Sequence, residues 1–390
     1  MFSTKTKTML LVAIISLLHV ACAPNKNDST ENDPAIEAMS SQLRSVGDEF
    51  LPASVYEDGR ASTSAKISAN KLATNSNNQN NDICAGVDFI ECQPRLIRAY
   101  LQMGRESVYT TQRIVSDVAR SLSGVSNNTS GEFRSTENGY SIAYNKRSST
   151  DFDFLILENN VSIGRVSAQN GNYNVQFDLN VLDKNKADSN GGMVDIQVKL
   201  TDSTHWESQI TFSGLKCNVN KPDDPETARI FVVRKGDLWT AQSGFYNGIG
   251  AQYNGTKSCS TPASDATGVV IYTNLVADRT AAKAAMYLMR RNEHSVAQLQ
   301  NFGINNYCQN YPDLCQSLAT ASGQSTQAVA AFLGALQNPY CVHRGNAQVF
   351  WNSDCSNVSA AVAQEPLLPN TSFLSPYDFY RLNIVIPNQL

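Results

Sequence analysis

In NYNVQFDLNVL, residues 172–182, polar and apolar side chains alternate from Asn172 to Val181. Tyr173, Val175, Phe177, Leu179 and Val181 fall on one face, and Asn174, Gln176, Asp178 and Asn180 on the other. Side chains of a strand point alternately to its two faces, so this pattern is a strand with one buried and one solvated side. The period of two recurs in YSIAYNK (140–146), DFDFLILE (151–158), VSIGRVS (161–167), MVDIQVKLTD (193–202), WESQITFSGL (206–215), ARIFVVRKG (228–236) and LWTAQSGFY (238–246). Turn-forming breaks such as ENN, QNGN, DSNGG and RKGD separate them. Most of these gaps are too short for parallel crossovers, which need a dozen or more residues, so the strands form an antiparallel meander.

Helical periodicity flanks the strands. From Pro94 to about Leu122, Ile97, Leu101, Val108, Val115, Val118 and Leu122 lie near one stripe. Pro94 suits the first turn, Gly104 weakens the middle and Gly124 is a natural stop. After the sheet, DRTAAKAAMYLMRRNEHSVAQLQNFG (278–303) is expected to be a helix with Asp278 as its cap and Gly303 as its stop. Two shorter helices are expected near 311–321 and 325–336, and a last strand at 382–386. The expected fold class is α+β: a long helix and a curved antiparallel meander over 83–275, then a disulfide-pinned, mainly helical region over 276–390.

The amino-terminal part has a different character. Residues 23–82 are rich in Asn, Ser, Thr, Asp, Lys and Ala, including NSNNQNND, and bury too little apolar surface to offset their ordering entropy. One piece departs from this. In PAIEAMSSQLRSVGDEFLP (34–52), Ile36, Met39, Leu43, Val46 and Phe50 share a helical face. Such a helix packs back on the body or docks on a partner. Its acids Glu37, Asp48 and Glu49 outnumber Arg44, which argues against anionic lipid headgroups.

Before it, Lys5 and Lys7 precede an apolar run from Met9 to Leu18, closed by Val20-Ala21-Cys22. That order is the layout of a secretory signal, too short to span a bilayer as a mature helix. With Ala21 directly before Cys22, it resembles a bacterial lipoprotein signal, although His19 stands where that family prefers Leu. The resemblance implies a signal peptide over 1–21, a lipid on Cys22, a tether over 22–82 and attachment to a membrane of the cell envelope. Ala23 lacks the Asp that retains enteric lipoproteins at the inner membrane, which implies the outer one.

Cysteine counting agrees. Of nine cysteines, Cys22 leaves eight, an even set: Cys84, Cys92, Cys217, Cys259, Cys308, Cys315, Cys341 and Cys355. None lies in a C-x-x-C pair, so thioredoxin-like and zinc-ribbon sites have little support. Sequential spacing suggests pairing of neighbours, in an oxidising compartment.

Catalytic patterns are weak. His205, His294 and His343 are far apart, and His294 has no second histidine at zinc-helix spacing. GFYNGIGAQYNG (244–255) lacks the context of a nucleotide-binding turn, and no G-x-S-x-G elbow or P-loop occurs. Asp151 and Asp153 form the one tempting carboxylate pair. The net charge of −4 falls to −6 without Lys5 and Lys7, and no basic cluster invites nucleic acid.

In the order of its elements, the stretch from 94 to 275 is similar to the half-barrel of the Lol lipoprotein carriers and related lipid-handling lipoproteins. Those proteins hold acyl chains between sheet and helix. The resemblance implies a ligand cavity lined by Tyr173, Phe177 and Leu179; the other reading is that these three are core packed by the helix. The expected function is a non-enzymatic binding or envelope-organising module for a protein partner or an apolar ligand, without cofactor or metal. The alternative is an envelope hydrolase whose catalytic groups are scattered in sequence.

Overall fold

The computed structural model describes residues 33–52, 55, 89–134, 140–179, 192–213, 227–247, 269–290, 340–344, 349–352, 358–365 and 384–390, with isolated positions between 308 and 330 and at 355–356. The remaining residues, among them Cys22, Cys84, Cys217, Cys259, His294 and 248–268, lie outside the described set.

Thirteen strands pair antiparallel in strict chain order. They are β1 (Thr129–Arg134), β2 (Tyr140–Ser148), β3 (Asp151–Glu158), β4 (Val161–Gln169), β5 (Asn172–Asp178), β6 (Met193–Asp202), β7 (His205–Ser213), β8 (Thr227–Lys235), β9 (Leu238–Asn247), β10 (Val269–Ala277), β11 (Ala282–Arg290), β12 (Tyr340–Arg344) and β13 (Val349–Asn352). The sheet is open, since β1 pairs with β2 and β13 with β12 and neither has a second partner among the described residues. Every alternating run anticipated from 140 to 246 is a strand, and β1 and β10 extend the meander at both ends.

Turn chemistry sets the register. Asn159 and Asn160 both take positive φ in a two-residue loop, and Asn170 and Gly171 do the same. These are the left-handed pairs whose twist matches that of the flanking strands. Gly171 cannot be replaced freely, because a Cβ there would stand 2.4 Å from the Leu200 carbonyl oxygen. The register that follows aligns Phe154, Val166, Val175, Ile196, Ile210 and Ile230 across six strands. All six are buried, and they form the spine of the inner face.

Helix α1 (Pro34–Asp48) and helix α2 (Phe89–Ser121) cover that face. The 33-residue α2 crosses the sheet, touching β4 to β9 and β11, and packs along α1. Val108, Val115, Val118 and Leu122 supply its buried stripe, as the spacing predicts. Gly104 does not break it. A Cβ at this position would meet Phe50 Cζ at 2.7 Å and Ile230 Cγ2 at 3.1 Å, so the missing side chain lets helix, plug and sheet approach. Asp33 starts α1 by accepting from Ala35 N at 2.9 Å, and Ile36, Met39, Leu43 and Val46 are buried. This part of the expected tether therefore belongs to the body.

Past residue 275 the expectation of a mainly helical region needs correction. Residues 282–290, inside the expected 278–303 helix, form β11, bonded to β10 over nine register pairs from Val269↔Arg290 to Ala277↔Ala282. Asp278 caps as anticipated, but it caps a turn, accepting from Thr280 N and Ala281 N, both at 2.7 Å. The fold is mostly sheet, with the short α3 (Ala360–Gln364) and helical positions between 308 and 330. Residues 384–387 carry no regular secondary structure, so the expected final strand is absent there. Two neighbour disulfides form, Cys308–Cys315 and Cys341–Cys355. Cys92 lies on α2, and the pairings expected of Cys84, Cys92, Cys217 and Cys259 fall outside what is described.

Candidate functional site

The outer face of β4 to β8 carries a groove of about 540 Å³. Alternation places polar side chains there in cross-strand rows. Ser167, Asn174, Gln197, Gln209 and Phe231 form one row, and Gln169, Asn172, Lys199 and Glu207 a second. One wall is the carboxy-terminal segment, through Val385 and Pro387. It is held by Ser162, which donates N–H to Asn388 Oδ1 at 3.1 Å and its hydroxyl to the Pro387 carbonyl at 2.7 Å.

Several of the groove amides are fixed. Asn174 donates to Asp195 Oδ1 at 2.6 Å and Gln197 to Asp195 Oδ2 at 2.8 Å. Asn172 donates to the Gln169 carbonyl at 3.1 Å. The buried Oε1 of Gln176 and Nε of Arg165, both from groove-lining residues, have no hydrogen-bond partner among the described residues. Such groups cost roughly 1–3 kcal/mol each when left unpaired.

The carboxylates considered for catalysis are held by arginines, and Asp153 lies beside the groove, next to its lining residues Arg165 and Ser167. Arg147 donates to Asp151 at 2.6 Å and to Asp153 at 2.9 Å, and Arg165 reaches Asp153 at 3.4 Å. Burial pushes the Asp153 carboxyl up, but hydrogen bonds from Arg147 and Ser167 and the two arginine charges outweigh it and hold the carboxyl below its ordinary value. A carboxylate held in its ionised form near neutral pH by such bonds is a poor general acid. His205 sits exposed in the β6–β7 turn, where its ring is 3.0 Å from Thr204 Oγ1 and 3.1 Å from Asp202 Oδ2. Hydrogen bonds from the Thr204 hydroxyl and amide and from His205 bring Asp202 down to about 2. His343 is on β12. Among the described residues no group of three His, Cys, Asp or Glu side chains is placed to hold a metal, and no helix is long and apolar enough to cross a membrane.

A second polar constellation joins α1 to the inner face. Arg234, 2 % exposed, donates to the Glu49 carboxylate, the Ser203 carbonyl and the Gly236 carbonyl, and lies 4.6 Å from the centroid of the Trp239 ring. Trp239 donates its indole N–H to the Glu49 carbonyl at 2.9 Å. Phe50 stacks on Trp206 with centroids 6.0 Å apart. Through Glu49, the Arg234 and Trp239 bonds fasten the end of α1 to the sheet.

No family model, no curated protein and no solved structure matches this chain.

Of the three residues expected to line a cavity, Tyr173 is 6 % and Phe177 2 % exposed, and both belong to the continuous core. Leu179 is partly buried against that core at the end of β5. Burial raises the Tyr173 phenol above its ordinary value. Tyr173 alone of the three also borders the outer groove. The groove residues opposite them, Asn174 and Gln176, occupy the polar half of the same alternating run. Their signal was compositional: amides stand where a solvated strand more often carries Lys or Glu.

Proposed function

We propose that the chain is a lipid-anchored lipoprotein of the bacterial envelope, attached through Cys22 at the outer membrane, whose body binds a ligand without transforming it. The amino-terminal resemblance supports the anchor. The observation that carries the binding reading is the outer groove, which gathers the side-chain amides of Asn172, Asn174, Gln176, Gln197 and Gln209 on one rigid face. A body of this kind, with a helix laid across a long antiparallel meander, gives a rigid platform for such a surface. Rigid strands hold side chains in place better than loops do.

Lipid labelling tests the anchor. In a bacterial host, the chain is expected to incorporate a palmitate analogue and to fractionate with the outer membrane. Cys22→Ser is expected to lose the label and appear in the soluble envelope fraction. A chain that keeps its label or its membrane attachment after Cys22→Ser would overturn the proposal.

A further inference from the structure

The groove on the outer face has a chemistry that selects among ligands. Its charged side chains, Arg165, Lys199 and Glu207, are of mixed sign, so neither polyanions nor polycations gain from it. An apolar chain would desolvate the amides without replacing their hydrogen bonds. An extended peptide has no edge to join, because the backbones of β4 to β8 are paired on both sides. What remains is a neutral molecule dense in groups that both donate and accept.

We propose that this groove is a binding site for a neutral oligosaccharide or the exposed end of a neutral polysaccharide. The proposal deepens the reading of the body as a binding module and rests on it. Asn172, Asn174, Gln197 and Gln209 each offer a carbonyl acceptor, and amide N–H groups not taken up by Asp195 or by the Gln169 and Asn170 carbonyls remain as donors. Sugar hydroxyls complement both kinds of group. Bonds to Asp195 hold two of these amides in place, so less rotamer entropy is lost on binding. Phe231 closes the end of the amide row and gives the groove an apolar side chain. A hydroxyl entering the groove also supplies the partner that Gln176 Oε1 lacks. The volume of about 540 Å³ falls within the range of sites for small molecules and suits a short oligosaccharide.

The test uses the chain carrying Cys22→Ser, taken from the soluble envelope fraction and so independent of the anchor. Saturation-transfer NMR and calorimetry are run with maltotriose, cellotriose and the trimer of N-acetylglucosamine. At least one is expected to bind at millimolar concentration or tighter. Phe231→Ala and Gln197→Ala, the second an exposed position that cannot unfold the sheet, are each expected to weaken it about tenfold. No saturation transfer from any of the three sugars would overturn the proposal, and so would binding that both substitutions leave unchanged. Cleavage of a bound sugar would keep the ligand class and overturn the binding-only reading instead. Failure of lipid labelling at Cys22 would remove the anchor and leave this site untouched.

Discussion

Trp239 donates its indole N–H to the backbone carbonyl of Glu49 at 2.9 Å, across 190 positions of sequence. The bond ties the end of α1 to the ninth strand of the meander, and the next residue, Phe50, is fully buried against Trp206. Helix α1 is thus part of the folding unit although it arrives before a long polar stretch. Phe50→Ala should cost about 3–5 kcal/mol, the range for removing a buried aromatic side chain. Urea unfolding measures it; a loss under 1 kcal/mol would mean that α1 is loosely attached.

Gly104 gives a sharper form of the same argument. Replacing a mid-helix glycine by alanine adds about 1 kcal/mol of helix propensity. At this position the new methyl would meet the Phe50 ring at 2.7 Å, and overpacking of that kind costs about 1–3 kcal/mol. The clash wins, so Gly104→Ala should destabilise. In the Phe50→Ala background the methyl enters vacated space and the same substitution should become neutral or stabilising. Additive losses in the double variant would refute the contact.

Tyr109 predicts a dependence on alkaline pH. Its hydroxyl donates to Asp48 Oδ1 at 2.6 Å and accepts from Arg105 at 3.2 Å. Burial, with the hydrogen bond to Asp48, raises the phenol from 10.0 to about 12. Between those values the unfolded chain has lost the proton and the folded one retains it. The native state therefore binds more protons, and stability falls as pH rises through this window. The contribution is fully present below pH 10.0 and gone above about 12. Tyr109→Phe should flatten this part of the stability profile relative to the unaltered chain, and an unchanged slope would show that Tyr109 titrates normally.

Asp153 contributes to the acid limb. Its folded carboxyl titrates below 3.8, so its stabilisation is present above that value and is lost as pH falls through the lower folded one. Asp153→Asn should remove on the order of 1 kcal/mol near neutrality, since Arg147 retains Asp151, and should shift the acid unfolding midpoint upward. A variant with higher activity toward any polymer, or with unchanged acid stability, would contradict the structural role given to this pair.

Legibility in the sequence followed the physics of each element. Strands with one polar face, such as β5 and β6, announce themselves by alternation, and α2 by its apolar stripe. AKAAMYLMR of β11 does not, because alanine and methionine favour helices and its neighbour Asp278 caps a turn and a helix alike through the same side-chain bond. Nine register pairs with β10 override that local preference. The groove was hidden for another reason. Gln197, Gln209 and Phe231 lie on three strands, and only the register makes them neighbours.

The inner face offers the last prediction. A cavity for an acyl chain between sheet and helix would need space at Phe177, Val175 and Ile196, yet these are 2 %, 0 % and 4 % exposed within one core that includes residues of both helices. At Gly164 the Phe177 ring already stands 2.5 Å from where a Cβ would be, so the ring fills the space that the neighbouring strand leaves there. Holding a lipid there would require α2, which touches β4, β5 and β6, to lift off the sheet together with α1 packed along it, breaking the Trp239–Glu49 and Arg234–Glu49 bonds. Native mass spectrometry of the Cys22→Ser chain should therefore give the bare protein mass, less two hydrogens per disulfide. Peptide mapping should find Cys308–Cys315 and Cys341–Cys355 among the bridges. Co-purifying acyl mass that survives dilution and disappears on organic extraction would overturn this, and would make the two helices a displaceable cover over an apolar site.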